Sequence, residues 1–129
     1  MNVVDSSAWL EYFSGGKNAK EFLAPIQATS ELVVPSIIIY EISKVILRES
    51  DEDHLLQALA AIQKGQIVEL NSSISIAAAK IGLKYKLPMA DSIIYATAKK
   101  FKATVWTQDV DFNGLANVNY FSKEKGRSY

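Results

Sequence analysis

Four acidic residues far apart in the chain, Asp5, Glu41, Asp91 and Asp109, each stand beside an apolar run, and Asp111 follows Asp109 closely. Carboxylates gathered in one place repel one another, and a folded protein tolerates such a cluster only with a compensating cation. The chain has no cysteine and a single histidine, His54. Oxygen ligands without nitrogen or sulfur select a hard ion, Mg²⁺ or Mn²⁺. Such an ion activates water and stabilises charge growing on a phosphate, so phosphodiester hydrolysis is the chemistry these residues suit. The missing cysteine also excludes disulfides, thiolate metal sites and a cysteine nucleophile. One histidine cannot build a multi-histidine zinc site, and a Ser-His-Asp triad would depend on it alone. His54 falls in the polar stretch 50–54 that opens a helix, where a solvated position is expected.

The elements that must position these acids alternate between strand and helix. Residues 2–5 read as a short buried strand, with Ser6 or Ser7 capping a helix to residue 13. Gly15 and Gly16 break it, and a short helix follows at 17–23. A second strand, 32–34, closes at Pro35; Ser36 then caps a helix over 37–48. A helix over 52–64 ends at Gly65. A third strand spans 66–70, and Ser72 or Ser73 caps a helix over 74–85. Leu87-Pro88 forms a break before a helix over 90–101, followed by a strand at 104–106 and a weaker one at 117–121. Strands separated by helices predict an α/β fold, a three-layer α/β/α sandwich around a central, mostly parallel sheet of four to five strands.

Open α/β sheets gather ligands outside the carboxyl ends of their strands. Asp5 ends the first strand and Asp109 follows the fourth, so both project at that edge if the two strands are neighbours. Glu41 lies early in the helix after the second strand, and Asp91 opens the helix that leads into the fourth. Both helices should begin at the same edge. Each acid also admits a plainer role. Asp5 suits a helix cap, and Glu41 suits a surface ion pair with Lys44 or Arg48. Asp91 suits a first-turn acid facing the helix dipole, although Ile94, Tyr95 and Ala98 give its face an inward look. Asp109 and Asp111 suit turn residues. The joint placement, not any single acid, carries the expectation.

A length of 129 residues fits one domain, expected over 1–122 with a polar tail at 123–129. At 49% hydrophobic and 22% charged, the chain can bury a core and reads as ordinary soluble protein. Charged residues interrupt every apolar run well short of the roughly 18 residues that cross a bilayer. The opening residues lack a positive stretch ahead of a hydrophobic one, so no signal peptide is expected. A reducing cytoplasm fits the absence of cysteine. Fourteen basic and fourteen acidic residues cancel and give no global pull toward nucleic acid. The lysines nevertheless cluster at 80, 84 and 86, at 99, 100 and 102, and with Arg127 at 123 and 125. They read equally as solvated helix ends.

Four segments, in order, resemble a PIN domain, and more narrowly the VapC-type toxins of prokaryotic toxin–antitoxin pairs. They are Val3-Val4-Asp5-Ser6-Ser7-Ala8-Trp9-Leu10; Val34-Pro35 with Glu41 on the next helix; Leu87-Pro88-Met89-Ala90-Asp91-Ser92-Ile93-Ile94-Tyr95-Ala96; and Thr107-Gln108-Asp109-Val110-Asp111-Phe112. The resemblance implies a metal-dependent endoribonuclease with Asp5, Glu41, Asp91 and Asp109 at the metal-binding positions. Asp111 matches a less uniform acidic position. Thr107 matches a hydroxyl residue beside the metal site, and Ser6 is either a supporting hydrogen bonder or a cap. It further implies one or two Mg²⁺ or Mn²⁺ ions, an RNA substrate, a homodimer and a cognate antitoxin whose tail occupies the active-site groove. The apolar stripes at 17–23 and 52–64 suit a homodimer or antitoxin contact, and equally the core. Two other readings stand beside it: a phosphoryl-transfer domain with Asp5 as nucleophile, and a non-catalytic RNA- or protein-binding module.

Overall fold

Val3, Val4 and Val105 are fully buried. Successive strand residues point to opposite faces, so apolar cover on both faces marks these strands as the middle of a parallel sheet. The computed structural model describes residues 1–123; the rest of the expected tail, 124–129, lies outside the described residues. Five strands are present, β1 (Asn2–Val4), β2 (Val33–Pro35), β3 (Gln66–Val68), β4 (Thr104–Thr107) and β5 (Val118–Tyr120). They form two parallel ladders, β1-β4-β5 and β2-β3. A single parallel bridge between Asn2 and Leu32 joins the ladders edge to edge. The expected strand number and direction hold, but the sheet is pinched at this seam.

Among the described residues six helices connect the strands: α1 (Ser6–Ser14), α2 (Ala19–Gln27), α3 (Ser36–Glu49), α4 (Glu52–Ile62), α5 (Ser72–Tyr85) and α6 (Met89–Lys100). Short 3-10 turns lie at Thr29–Glu31 and Val110–Phe112. Three caps differ from expectation. Asp5, not Ser6 or Ser7, caps α1, with Oδ1 accepting the Ala8 N–H at 3.0 Å. Asn71, not Ser72 or Ser73, caps α5 through the Ile74 N–H. Both caps hold extended backbone (ψ 175° and 179°), which a cap needs before the helix turns. Ser36 is the first residue of α3, which has no side-chain cap. Helix α2 begins two residues later than expected and runs through Pro25 to Gln27.

Helix α6 is buried along Asp91–Ala98, packed against β1, β2, β4, α3 and α5. Its hydroxyls return to the backbone, Ser92 Oγ to Pro88 O at 2.9 Å and Thr97 Oγ1 to Ile93 O at 2.8 Å. That satisfies them without solvent. Helix α5 lies close because Gly82 has no side chain where it meets Ser92. The stripes on α2 and α4 serve the core: Phe22, Ile26, Ala58 and Ile62 are buried, while Leu23 and Leu56 remain exposed. Among the described residues no helix is long and apolar enough to cross a membrane.

Helix α4 ends at Ile62, ahead of the expected Gly65. Gly65 instead lets the turn into β3 press against Leu32, where an added Cβ would sit 2.9 Å from the Leu32 carbonyl oxygen. A backbone oxygen cannot swing aside. Gly65→Ala should therefore cost about 1–3 kcal/mol, read as a lower urea midpoint with an unchanged slope. An unchanged midpoint would refute this account of the seam.

Candidate metal centre

The register of β1 on β4 pairs Val4 with Trp106, so the next residue of each strand, Asp5 and Thr107, emerges at the same carboxyl edge. The Asp5 N–H donates to Trp106 O at 3.1 Å. The Asp5 side chain is only 2% exposed and both its oxygens are engaged. Oδ1 accepts from Ser7 Oγ (2.8 Å) and the Ala8 N–H, and Oδ2 accepts from Thr107 Oγ1 (2.7 Å). The fully buried Thr107 hydroxyl also accepts the Asp109 N–H at 2.8 Å. Burial pushes the Asp5 carboxyl up to about 6, against the pull of the Thr107, Ala8 and Ser7 bonds and with a smaller push from Asp109. Such a shielded, fully bonded carboxylate is a poor nucleophile, which disfavours the phosphoryl-transfer reading.

Asp91 is held differently. It lies in the first turn of α6, 9% exposed, and among the described residues its carboxylate accepts no hydrogen bond. One oxygen each from Asp91, Asp109 and Asp111 lie within 4.8 Å of one another. Asp109 caps the 3-10 turn through the Asp111 N–H at 2.9 Å, so the half-buried Asp109 and exposed Asp111 are fixed as a pair. Glu41, half-buried on α3, takes the Ser6 hydroxyl on Oε1 at 2.6 Å. Arg48 pairs with Glu49 instead, and Lys44 lies over the Tyr40 ring. The surface ion pair considered for Glu41 is not formed. Burial first, then the charges of Asp109, Asp5, Asp111 and Glu41 in that order, push the Asp91 carboxyl up to about 8.

All five acids thus act on one point. A largely buried carboxylate that accepts no bond among the described residues, and on which four other acids act, fits a hard divalent cation with oxygen ligands. Asp91, Asp109 and Asp111 supply the nearest oxygens. Ser6 is a supporting hydrogen bonder, not the cap. Ser7 and Gln108, to which the sequence reading gave no part in the site, join it: Ser7 Oγ donates to Asp5 and accepts the Gln108 N–H at 3.2 Å. The Asp-Ser-Ser run was the available signal, since either hydroxyl can reach back to the carboxylate. His54 is exposed and bonded to Asp51, Nδ1 to Oδ1 at 2.7 Å. The lysines split. Lys84 and Lys86 end α5 just before α6 begins, but Lys99 and Lys100 end α6, about 12–13 Å along the axis from Asp91.

The chain belongs to the PIN-domain family, whose model matches residues 3–118. Its fold is similar to that of a chain in a toxin–antitoxin complex from Klebsiella pneumoniae, with TM-score 0.81 and 21% identity over 95% of this chain and 100% of that one. It is similar also to VapC20 from Mycobacterium tuberculosis, a sarcin–ricin loop cleaving toxin, with TM-score 0.77 and 15% identity over 92% and 97%. A chain of the DNA-bound VapBC complex from Salmonella typhimurium gives TM-score 0.70 and 16% identity over 95% and 98%. A search of curated proteins found no match.

The raised carboxyls give the metal-free protein a pH signature. A folded-state pKa above the unfolded value of 3.8 means that stability is full below about 4 and falls as pH rises toward the folded value. Asp5 should contribute its loss by about pH 6 and Asp91 by about pH 8. In EDTA, the wild-type Tm should fall from pH 5 to 8, and Asp91→Asn should flatten the profile above pH 6 and melt higher at pH 8. Superimposable profiles would contradict this picture of Asp91.

Proposed function

We propose that this protein is a divalent-metal-dependent endoribonuclease, the toxin of a toxin–antitoxin pair. The observation that carries the reading is Asp91, buried without a hydrogen-bond donor and crowded by Asp109, Asp111, Asp5 and Glu41. Membership of the PIN family and likeness to toxin structures, one of them a cleaver of the sarcin–ricin loop, support RNA as the substrate.

In this reading Asp91, Asp109 and Asp111 hold Mg²⁺ or Mn²⁺, with Asp5 and Glu41 completing the acidic wall. When bound, the ion lowers the pKa of water and stabilises charge on the phosphate and the leaving oxygen. Thr107 and Ser7 keep the Asp5 carboxylate oriented, and Ser6 does the same for Glu41. A carboxylate of this set takes the proton of the attacking water. In-line attack on phosphorus with departure of the 3′-oxygen leaves 5′-phosphate and 3′-hydroxyl ends. A metal-free route through the RNA 2′-hydroxyl would need an acid–base pair, and the one histidine is tied to Asp51 on the surface.

The partners follow from the same reading: a cognate antitoxin, and a second copy in a homodimer, acting in the cytoplasm. A groove of about 890 Å³ lined by Leu10, Phe13, Val45, Ile46, Ala58 and Ala61 offers an antitoxin helix an apolar seat, and it reaches the site edge at Ser7 and Gln108. The test compares RNA cleavage by the wild type and Asp91→Ala in Mg²⁺, Mn²⁺ and EDTA. Wild-type cleavage should need the metal. The variant should lose more than the roughly 10–100-fold that removal of a supporting partner costs, with its circular dichroism unchanged. Cleavage by both proteins in EDTA would defeat the proposal. A folded variant that cuts as well as the wild type would favour acids with no part in chemistry.

A further inference from the structure

Asp109 and Asp111 stand beyond the end of β4, where no ladder holds the backbone. Gln108 lies between Thr107 and Asp109 and is only 7% exposed. A buried amide needs partners, and this one has them on a different part of the chain. Its Oε1 accepts from Asn18 Nδ2 at 2.9 Å, and its Nε2 donates to Glu11 Oε1 at 3.4 Å. The other Glu11 oxygen accepts the Asn18 N–H at 2.9 Å, and Asn18 Nδ2 donates also to Ser122 O at 3.1 Å. A carboxylate only accepts, so Glu11 fixes which end of the Gln108 amide faces it. Room for the folded-back Glu11 carboxylate exists because Gly16 has no side chain: a Cβ there would collide with it.

We propose that Gln108, gripped by Glu11 and Asn18, is a positioning residue that aims Asp109 into the acidic cluster. The reason is that neighbouring side chains at this strand end bond to different parts of the molecule: the Thr107 hydroxyl reaches Asp5 and the Asp109 N–H, whereas the Gln108 amide reaches Glu11 and Asn18. Drawing Gln108 toward the end of α1 and the loop after it turns Thr107 and Asp109 toward Asp5 and Asp91. Neither Glu11 nor Asn18 bonds a carboxylate of the cluster. Their effect passes through the backbone of Asp109, and so to Asp111, whose N–H is fixed by Asp109. The consequence for metal rests on the ribonuclease reading; the consequence for backbone order does not.

Two variants test it. Gln108→Met keeps the length and removes the bonds, and Gly16→Ala displaces Glu11 without touching the site. Amide exchange of Asp109 is followed in EDTA against Val3 and Val105 as core references, and Mn²⁺ affinity is measured by calorimetry. Both variants should speed Asp109 exchange at least about tenfold relative to the core and weaken Mn²⁺ by about 10–100-fold, as loss of a group supporting a ligand does. In cleavage, kcat should fall while KM for RNA holds. Unchanged Asp109 protection relative to the core in both variants overturns the proposal, even if Tm falls. If the wild type binds no Mn²⁺, the ribonuclease reading fails on that arm, and the exchange comparison still decides the role of Gln108.

Discussion

Like charge forced together inside a folded chain is the constraint on which the rest of this molecule depends. Oxygens of Asp91 and Asp109 lie within 4.8 Å, which at an effective dielectric of roughly 20 amounts to about 3.5 kcal/mol of repulsion when both are ionised. A small domain has only about 5–15 kcal/mol of stability in all. Asp5, Asp111 and Glu41 push the same way. The protein has two ways out, a proton on Asp91 or a cation among the acids, and at neutral pH these compete for the same oxygens. The repulsion among these acids is thus built into the fold, and either a proton or a cation would relieve it.

The fold resists that repulsion by holding each acid from a different direction. Asp5 is tethered by three hydrogen-bond donors. Asp91 has none among the described residues, and keeps its place because α6 is buried continuously from Asp91 to Ala98. Glu41 is steadied from α1 through Ser6, and Asp109 from its own backbone through Thr107. Asp5, Glu41 and Asp109 each spend part of their charge on a neighbouring donor. Of the two whose carboxylates accept no bond among the described residues, Asp111 is exposed to water and Asp91 is not, so the repulsion falls hardest on Asp91.

The gathering of the acids was readable from the sequence because sheet topology constrains it: acids after parallel strands, or at the starts of helices that follow a strand or lead into one, share one edge. That rule placed Asp5, Asp109, Glu41 and Asp91 together without a single distance. What it could not supply was the choice between chemically equivalent groups. Asp5, Ser6 and Ser7 all satisfy a cap rule, and local sequence cannot rank them. Ser6 is drawn off to Glu41, 35 residues away, and Ser7 to Asp5 itself. Only the tertiary fold makes that assignment. The helix cap on α5 was missed for the same reason, since Asn71 competes with two serines beside it. The lysine clusters look alike in sequence, yet α6 carries Lys99 and Lys100 to the end opposite Asp91, while Lys84 and Lys86 lie at the end of α5, just before α6 begins.

Asp5 shows how little separates a structural role from a chemical one. It caps α1, and the same carboxylate faces the cluster. The plain reading and the functional reading were set against each other on the sequence, but geometry lets both hold. Capping by Oδ1 orients the group, and Thr107 orients it again through Oδ2. A carboxylate fixed twice cannot swing away when its neighbours ionise, so the charge density of the wall survives without metal. Removing either tether should leave the acid present but no longer aimed. The same logic extends to Gln108, whose buried amide anchors the far side of the strand end that carries Asp109. Placement of acids at one edge is a property of the topology. Keeping them pointed at one another against their own repulsion is the work of the uncharged side chains between them.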